Sequence, residues 1–285
     1  VAYPVNMVFF TTNELLEIGG HPMVSLGVKA TRREVLDYYR KVAEREELDV
    51  ATHTEVTGIV PGAPGFSVRT RGGKEEASTR CGAVVVATGY YDRPRLLGVP
   101  GEELPHVSHY YTEAHPFWRR RVVIVGAGNS AAEAALELWR AGARVTMLVR
   151  GDRVKDAVKY WVRPDLENRI REGSIPTVFH ARVERITPTS VHYRCSNTGG
   201  ELPADAVFLL TGFVADATLV REAGAEVRED GSVVLGDATF ETTAPGLYVV
   251  GSAGYGGRTG EVFIENGRLH AQAAIAHIAR RFTTR

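Results

Sequence analysis

An α/β fold built of two similar parallel-sheet modules is what this sequence predicts, and three observations predict it. A strand, a glycine-rich turn, a helix and a second strand follow one another over 122–149. A pseudo-repeat, in which an apolar strand ends in Thr-Gly and an aromatic residue, occurs at 83–90 and again at 206–213. The chain is also long enough: 285 residues, 44% hydrophobic and 24% charged, suit two ordinary globular domains.

The elements follow in order. Tyr3-Pro4-Val5-Asn6-Met7 precedes the apolar Val8-Phe9-Phe10 without a strand or helix signal. Thr31-Arg32-Arg33-Glu34 is a capping box, in which hydroxyl and carboxylate satisfy each other's backbone donors. Behind it Val35, Leu36, Tyr38, Tyr39 and Val42 share one face, so the spacing predicts a helix over 32–46. Alternating segments at 50–60, 65–71 and 75–80, broken by Pro61-Gly62-Ala63-Pro64-Gly65 and Arg71-Gly72-Gly73-Lys74, predict an antiparallel ribbon. Ala83-Val84-Val85-Val86-Ala87 is a continuous apolar run, the pattern of a strand buried on both faces. A loop rich in proline, histidine and aromatic residues covers 90–120. Strands are expected at 122–125 and 144–149 around a helix at 130–140, then a helix at 164–172 and extended chain at 177–194. A strand at 246–250, a glycine-rich loop at 251–260 and a helix at 261–281 close the chain. Ala271, Ala273, Ala274 and Ala276 in that helix suit close packing on a sheet.

Charge and cysteine usage exclude several classes. Lys+Arg and Asp+Glu both number 34, so nothing electrostatic favours nucleic acid or an acidic membrane as a partner. No apolar run approaches the roughly 20 residues that span a bilayer, and the amino end lacks a signal-peptide pattern. A cytoplasmic location is the expectation. Cys81 and Cys195 stand far apart with no CxxC, which excludes a disulfide scaffold, a cysteine-rich zinc site and a vicinal dithiol within this chain. Both read as structural. His109 and His115 lack metal-ligand spacing, and no metal is expected.

The strongest motif is Gly126-Ala127-Gly128-Asn129-Ser130-Ala131, directly after Val122-Val123-Ile124-Val125. Its place between a strand and a helix, with another strand following, makes it a dinucleotide-binding turn. Gly126 serves the tight turn, Gly128 the approach of a pyrophosphate, and Ala131 the packing of helix on strand. The pyrophosphate would rest on the helix N-terminus, beside Asn129 and Ser130. Gly212, at the second Thr-Gly strand end, is grouped with this site. A coenzyme with a free ribose 2′-hydroxyl usually meets Asp or Glu at the end of the second strand. Here that strand ends Leu148-Val149-Arg150-Gly151-Asp152-Arg153, with Arg150 in the place of the acid and Arg153 just beyond. A guanidinium matches a 2′-phosphate, which argues for NADPH. Either arginine alone could be a solvated surface residue, and Asp152 could be the acid displaced by two positions.

The two Thr-Gly strand ends, the inserted dinucleotide unit and the glycine-rich carboxyl end resemble the low-molecular-weight thioredoxin reductase fold. There, two Rossmann-like nucleotide-binding domains are arranged as an FAD domain split by an NADPH domain. More narrowly, six stretches resemble the bacillithiol disulfide reductases: Tyr3-Pro-Val-Asn-Met7, Phe9-Phe-Thr-Thr-Asn-Glu-Leu-Leu-Glu-Ile-Gly-Gly20, Ala87-Thr-Gly-Tyr-Tyr-Asp92, Val99-Pro-Gly-Glu102, His115-Pro116 and Val262-Phe-Ile-Glu-Asn-Gly-Arg268. They span nearly all of the chain. The division expected is an FAD-binding domain of 1–114 and 240–285 and an NADPH-binding domain of 115–239, with hinges at 113–120 and 236–246. The resemblance implies FAD contacts from Thr88, Gly89, Gly251 and Ser252. It also implies a helix start around Glu261 and Val262, with backbone N–H groups facing the flavin pyrimidine edge. Related flavoproteins commonly have Gly-Asp where this chain has Gly251-Ser252.

Two departures stand out. The FAD-binding GxGxxG expected on an opening strand is absent, as though roughly 35–45 residues of a first βαβ unit preceded Val1. The resemblance places the redox cysteine in that turn, so no catalytic residue is assigned here. The thioredoxin reductase dithiol would fall on His109-Tyr110-Tyr111-Thr112, which holds no sulfur. Thioredoxin reduction by thiolate attack is therefore not expected. His106, His109 and His115 read either as loop packing or as a proton donor near the flavin. Lys159 and Tyr160-Trp161 read either as a border of the NADPH pocket or as a structural turn.

The function implied is an NADPH-dependent FAD flavoprotein oxidoreductase acting on a low-molecular-weight disulfide of the bacillithiol disulfide kind. It would be a cytoplasmic homodimer with a small-molecule partner and neither nucleic acid nor membrane. The alternative enzyme is a ferredoxin- or flavodoxin-NADP reductase-like flavoenzyme, which needs no dithiol. The alternative of another class is a non-catalytic NADPH-binding fragment without FAD.

Overall fold

The computed structural model describes residues 3–196 and 198–283. The chain forms two compact units, an inserted one of Val1–Met7 with Pro94–Gly212 and a split one of Val8–Arg93 with Phe213–Arg285.

The split unit begins with a one-turn helix, α1 (Asn13–Leu16), and α2 (Arg32–Arg45). The capping box of α2 is present: Glu34 N–H donates to Thr31 Oγ1 at 3.3 Å and Thr31 N–H to Glu34 Oε2 at 2.8 Å. Val35 on its apolar face packs with Leu16, Met23 and Ala30 into a small core. β1 (Thr54–Pro61), β2 (Phe66–Gly72) and β3 (Glu75–Cys81) make the expected antiparallel ribbon in that order. Ile59 and Phe66 reach from the ribbon into a second core, and β4 (Val84–Val86) follows, adding Val86 to it.

The inserted unit carries β5 (Val107–Ser108), β6 (Arg121–Val125), α3 (Asn129–Arg140), β7 (Arg144–Leu148), α4 (Arg163–Arg171) and β8 (Thr177–Val178). β9 (Ala181–Thr187), β10 (Ser190–Cys195), β11 (Thr198–Pro203) and β12 (Ala206–Leu209) complete it. β5-β12-β6-β7-β8 is an all-parallel sheet, and β11-β10-β9 an antiparallel one. Alternation along β6 divides its side chains between two cores. Val122 and Ile124 pack with Ala131, Ala132, Ala135 and Leu138 of α3, while Val123 and Val125 pack with Ile186 and Val191 of the antiparallel sheet. The alanines let α3 lie close on the strands. A charged staple sets the register at the start of β6 and β12. Arg121 N–H donates to Asp205 Oδ2 at 2.8 Å, its Nη2 to Asp205 Oδ1 at 2.5 Å, and Asp205 N–H to the Arg121 carbonyl at 2.8 Å.

The chain closes the split unit with α5 (Thr218–Glu222), β13 (Leu247–Val249) and α6 (Ile264–Thr283). β13 pairs in parallel with β4. Ala274 of α6 is fully buried against Tyr248 and Val250, whereas Ala271 and Ala276 face solvent. That corrects one expectation, since a single alanine makes the close contact. A second correction concerns β4, which the apolar run predicts to be buried on both faces. Tyr248 packs against Ala274 of α6, but its register partner Val85 joins no core cluster among the described residues and remains 37% exposed.

The unit boundaries also differ from those read in the sequence. Segment 94–114 joins the inserted unit, where β5 pairs with β12. Segment 213–239 joins the split unit, with α5 against β1 and bridges Val227–Val233 and Ser232–Tyr255. The chain passes between units at Met7–Val8, Arg93–Pro94 and Gly212–Phe213, and the segments 113–120 and 236–246 each lie within one unit.

The Asp205 carboxyl is held down to about 2, first by the Arg121 guanidinium and then by the Arg121 N–H. A carboxyl held lower in the folded chain adds stability above its unfolded value, about 3.9, and loses it as pH falls towards 2. Urea unfolding should show Asp205→Asn less stable than the parent at pH 6, with the difference shrinking steadily towards pH 2.5. A pH-independent difference would detach the carboxylate from register stability.

Candidate functional site

Three strand ends meet at one glycine. Gly126 N–H donates to the Leu148 carbonyl at the end of β7 at 3.1 Å, and Leu210 N–H, just past β12, donates to the Val125 carbonyl at 2.8 Å. Gly126 has φ +143°, and a Cβ there would run into the Leu210 carbonyl oxygen while standing 3.3 Å from Ala131 Cβ. Conformation and space both demand glycine. Gly128 is different. Its backbone is extended, and a Cβ on it would meet nothing within 4 Å. It immediately precedes α3, whose N-terminus has no side-chain cap. The open turn therefore offers uncapped N–H groups and the positive end of a helix, a combination suited to an anion. Ala131 is fully buried beneath it and Ser130 exposed.

Arg150 lies two residues past the end of β7, is exposed and pairs with no described residue. Arg153 is exposed too, but its Nη2 lies 3.1 Å from Asp156 Oδ2. Asp156 also accepts from Arg163 at 2.8 Å, and this bond is the main reason its carboxyl is held low. Asp152 is exposed. The Asn129 carboxamide is turned to the chain itself, its Nδ2 donating to the Ala157 carbonyl at 3.2 Å and its Oδ1 accepting Lys159 N–H at 2.9 Å. Tyr160 and Trp161 form an edge-to-face pair at 4.8 Å, Tyr160 being 81% exposed. Gly212, at φ +105°, accepts Arg95 N–H at 2.9 Å, so its carbonyl serves a backbone clasp. Thus Gly126, Gly128, Asn129, Ser130, Ala131, Arg150 and Arg153 gather at the carboxyl ends of β6 and β7. Asp156 went unread although Arg153 stands only three residues before it, and the partners of Asn129 went unread because no local spacing marks a contact 30 residues away.

In the split unit, Thr88 and Gly89 follow β4, and Gly251 and Ser252 follow β13. Val250 N–H donates to the Val86 carbonyl at 3.0 Å and holds the two ends together. Gly89 (φ +70°) and Gly251 (φ +64°) are both left-handed. A Cβ on Gly89 would lie 3.8 Å from Ser252 Oγ, and one on Gly251 would meet nothing within 4 Å. Gly267 of α6 brings the helix against this end, since a Cβ on it would stand 3.4 Å from Gly251 Cα. The result is an open, backbone-lined cradle, which fits the close approach of a dinucleotide such as FAD. Glu261 and Val262 are not helical: α6 starts at Ile264, and Phe263 N–H is taken by Asn266 Oδ1 at 2.8 Å while Asn266 Nδ2 donates to the Glu261 carbonyl. This local cap moves the helix start three residues on. Val262 is buried and Glu261 exposed.

The histidine loop is held by Glu102, whose carboxylate accepts Leu97 N–H at 2.8 Å and Gly98 N–H at 2.7 Å and lies 3.3 Å from His109 Nε2. That is a packing role for His109. Cys81 and Cys195 are half-buried, with Sγ donating to the carbonyls of Phe66 and Phe179, and burial pushes the Cys81 thiol up. Among the described residues no group of side chains could hold a metal ion, and no helix is long and apolar enough to cross a membrane.

The family model for pyridine nucleotide-disulphide oxidoreductases matches residues 1–251. Bacilliredoxin reductase Bdr of Bacillus subtilis (strain 168) is 36% identical over 285 residues, covering 98% of this chain and 86% of its own. The solved bacillithiol disulfide reductase Bdr of Bacillus cereus superposes with a TM-score of 0.95 at 35% identity, over 98% of this chain and 87% of that one. Thioredoxin reductase of T. acidophilum, at 21% identity and TM-score 0.73 over 89% of this chain and 83% of its own, shares the fold.

The two turn glycines should separate in stability measurements. Gly126→Ala is expected to cost more than about 1 kcal/mol, from left-handed strain and collision with Leu210. Gly128→Ala should stay within about 0.5 kcal/mol of the parent. Urea unfolding that shows equal losses would contradict the distinction.

Proposed function

The chain belongs to the pyridine nucleotide-disulphide oxidoreductase family, and within it we propose an NADPH-dependent FAD flavoprotein that reduces a low-molecular-weight disulfide, bacillithiol disulfide first of all. The observation that carries the coenzyme half is the anion-ready turn at 126–131 with unpaired Arg150 where a ribose 2′-hydroxyl would otherwise find an acid. The disulfide half draws on the relatives' own substrates. The same reading includes a cytoplasmic location, a homodimer and no nucleic-acid partner.

In this reading the inserted unit binds the coenzyme. Gly128 and Ser130 leave room and donors for the pyrophosphate, and Arg150 meets the 2′-phosphate. Arg153 joins by exchanging Asp156 for phosphate, a cheap exchange because the ion pair is solvated on both sides. Thr88, Gly89, Gly251 and Ser252 of the split unit would hold FAD. When bound, FAD supplies the two-electron exchange between nicotinamide and disulfide; overall, NADPH and a proton reduce one disulfide to two thiols. Ser252 contributes a neutral hydroxyl where an aspartate would make a charge-assisted bond. With Cys81 and Cys195 bonded to carbonyls, no thiol of the described chain is assigned to catalysis.

NADPH-driven turnover of bacillithiol disulfide by the yellow holoprotein is the direct test. Arg150→Glu should weaken NADPH about tenfold or more and leave NADH nearly unchanged. Equal use of both coenzymes by the parent would remove the arginine assignment. Transfer of electrons to ferredoxin but not to the disulfide would select the alternative acceptor.

A further inference from the structure

Segment 151–163, which carries Arg153, is fastened at several points. The Gly151 carbonyl accepts His180 N–H at 2.9 Å, and Lys155 N–H donates to the Ala127 carbonyl at 3.1 Å. Lys159 Nζ meets Glu133 Oε1 at 2.5 Å, and Val154 and Val158 are buried beneath. Two further bonds involve one side chain: Asn129 Nδ2 donates to the Ala157 carbonyl and its Oδ1 accepts the Lys159 N–H. Gripping both backbone atoms takes a donor and an acceptor on one side chain, which the short planar carboxamide supplies. Asn129 is also the first residue of α3, directly after Gly128. One residue therefore joins the pyrophosphate turn to the arginine-bearing segment.

We propose that Asn129 is a positioning residue for coenzyme selection: it clamps the backbone at 157 and 159 to the first turn of α3 and so holds Arg153 ready for the ribose 2′-phosphate. This rests on the assignment of Arg150 and Arg153 to that phosphate. Without the clamp the segment must be ordered at the moment of binding, and the phosphate-bearing coenzyme bears that cost. A coenzyme lacking the phosphate does not draw on Arg153 and is spared most of it.

Titration calorimetry of the full chain with NADP+ and with NAD+ reads this directly, in the parent, Asn129→Ala, Arg153→Ala and the double variant. Asn129→Ala is expected to weaken NADP+ about fivefold to tenfold, the loss of two hydrogen bonds, and NAD+ less than about twofold. The double variant should lose no more selectivity than Arg153→Ala alone. Hydrogen–deuterium exchange without coenzyme should rise in Asn129→Ala over 153–160 and not over β6 or β12. Equal weakening of both coenzymes, or unchanged exchange over 153–160, would overturn the clamp. If Arg153→Ala leaves the NADP+ to NAD+ ratio intact, the arginine assignment has failed instead, and the clamp's role in selection falls with it.

Discussion

The carbonyl oxygen of Leu210 occupies the place where residue 126 would carry a side chain, and the inserted unit is organised around that contact. β12 and β6 lie side by side in parallel register, so the backbone leaving β6 must turn away at once. Only a glycine can do so beneath the neighbouring carbonyl. The direction of the turn sends α3 back over the sheet, where alanines at 131, 132, 134 and 135 allow the helix to settle closely. A closely seated helix in turn presents its uncapped first turn at the carboxyl ends of the strands. The anion-binding character of the site is thus a by-product of a packing constraint one residue upstream.

Charge at the site follows a different logic. Arg150 and Arg153 look equivalent as letters, yet Arg153 already has a carboxylate partner and Arg150 has none among the described residues. Asp156 is shared with Arg163, which Glu167 anchors at 2.6 Å from the flank of α4. A chain of four alternating charges therefore keeps one arginine in reserve while the other faces solvent.

What could be read from the sequence was whatever depends on neighbours in the chain. The Thr31–Glu34 capping box, the ribbon of β1 to β3 and the turn at 126–131 are local patterns, and all took the form their spacing predicts. Where partners lie far apart, spacing is silent. Nothing near Asn129 announces Lys159, and nothing near Val107 announces its pairing with Val207, which moves 94–114 into the inserted unit. The apolar run at 83–87 records hydrophobicity but not coverage, so the exposure of Val85 was invisible. The start of α6 was missed because a local side-chain bond from Asn266 competes with helix at 261–263.

The clasp between Arg95 N–H and the Gly212 carbonyl has a consequence for how the polypeptide is assembled. β4 and β13 are parallel partners drawn from opposite sides of the insertion, and their meeting must overcome the entropy of closing everything between them. Once the insertion has folded and its two ends are tied, only 87–94 and 213–246 still separate the two strands, and part of the closure penalty has already been met. The insertion is thus best made before β4 and β13 pair.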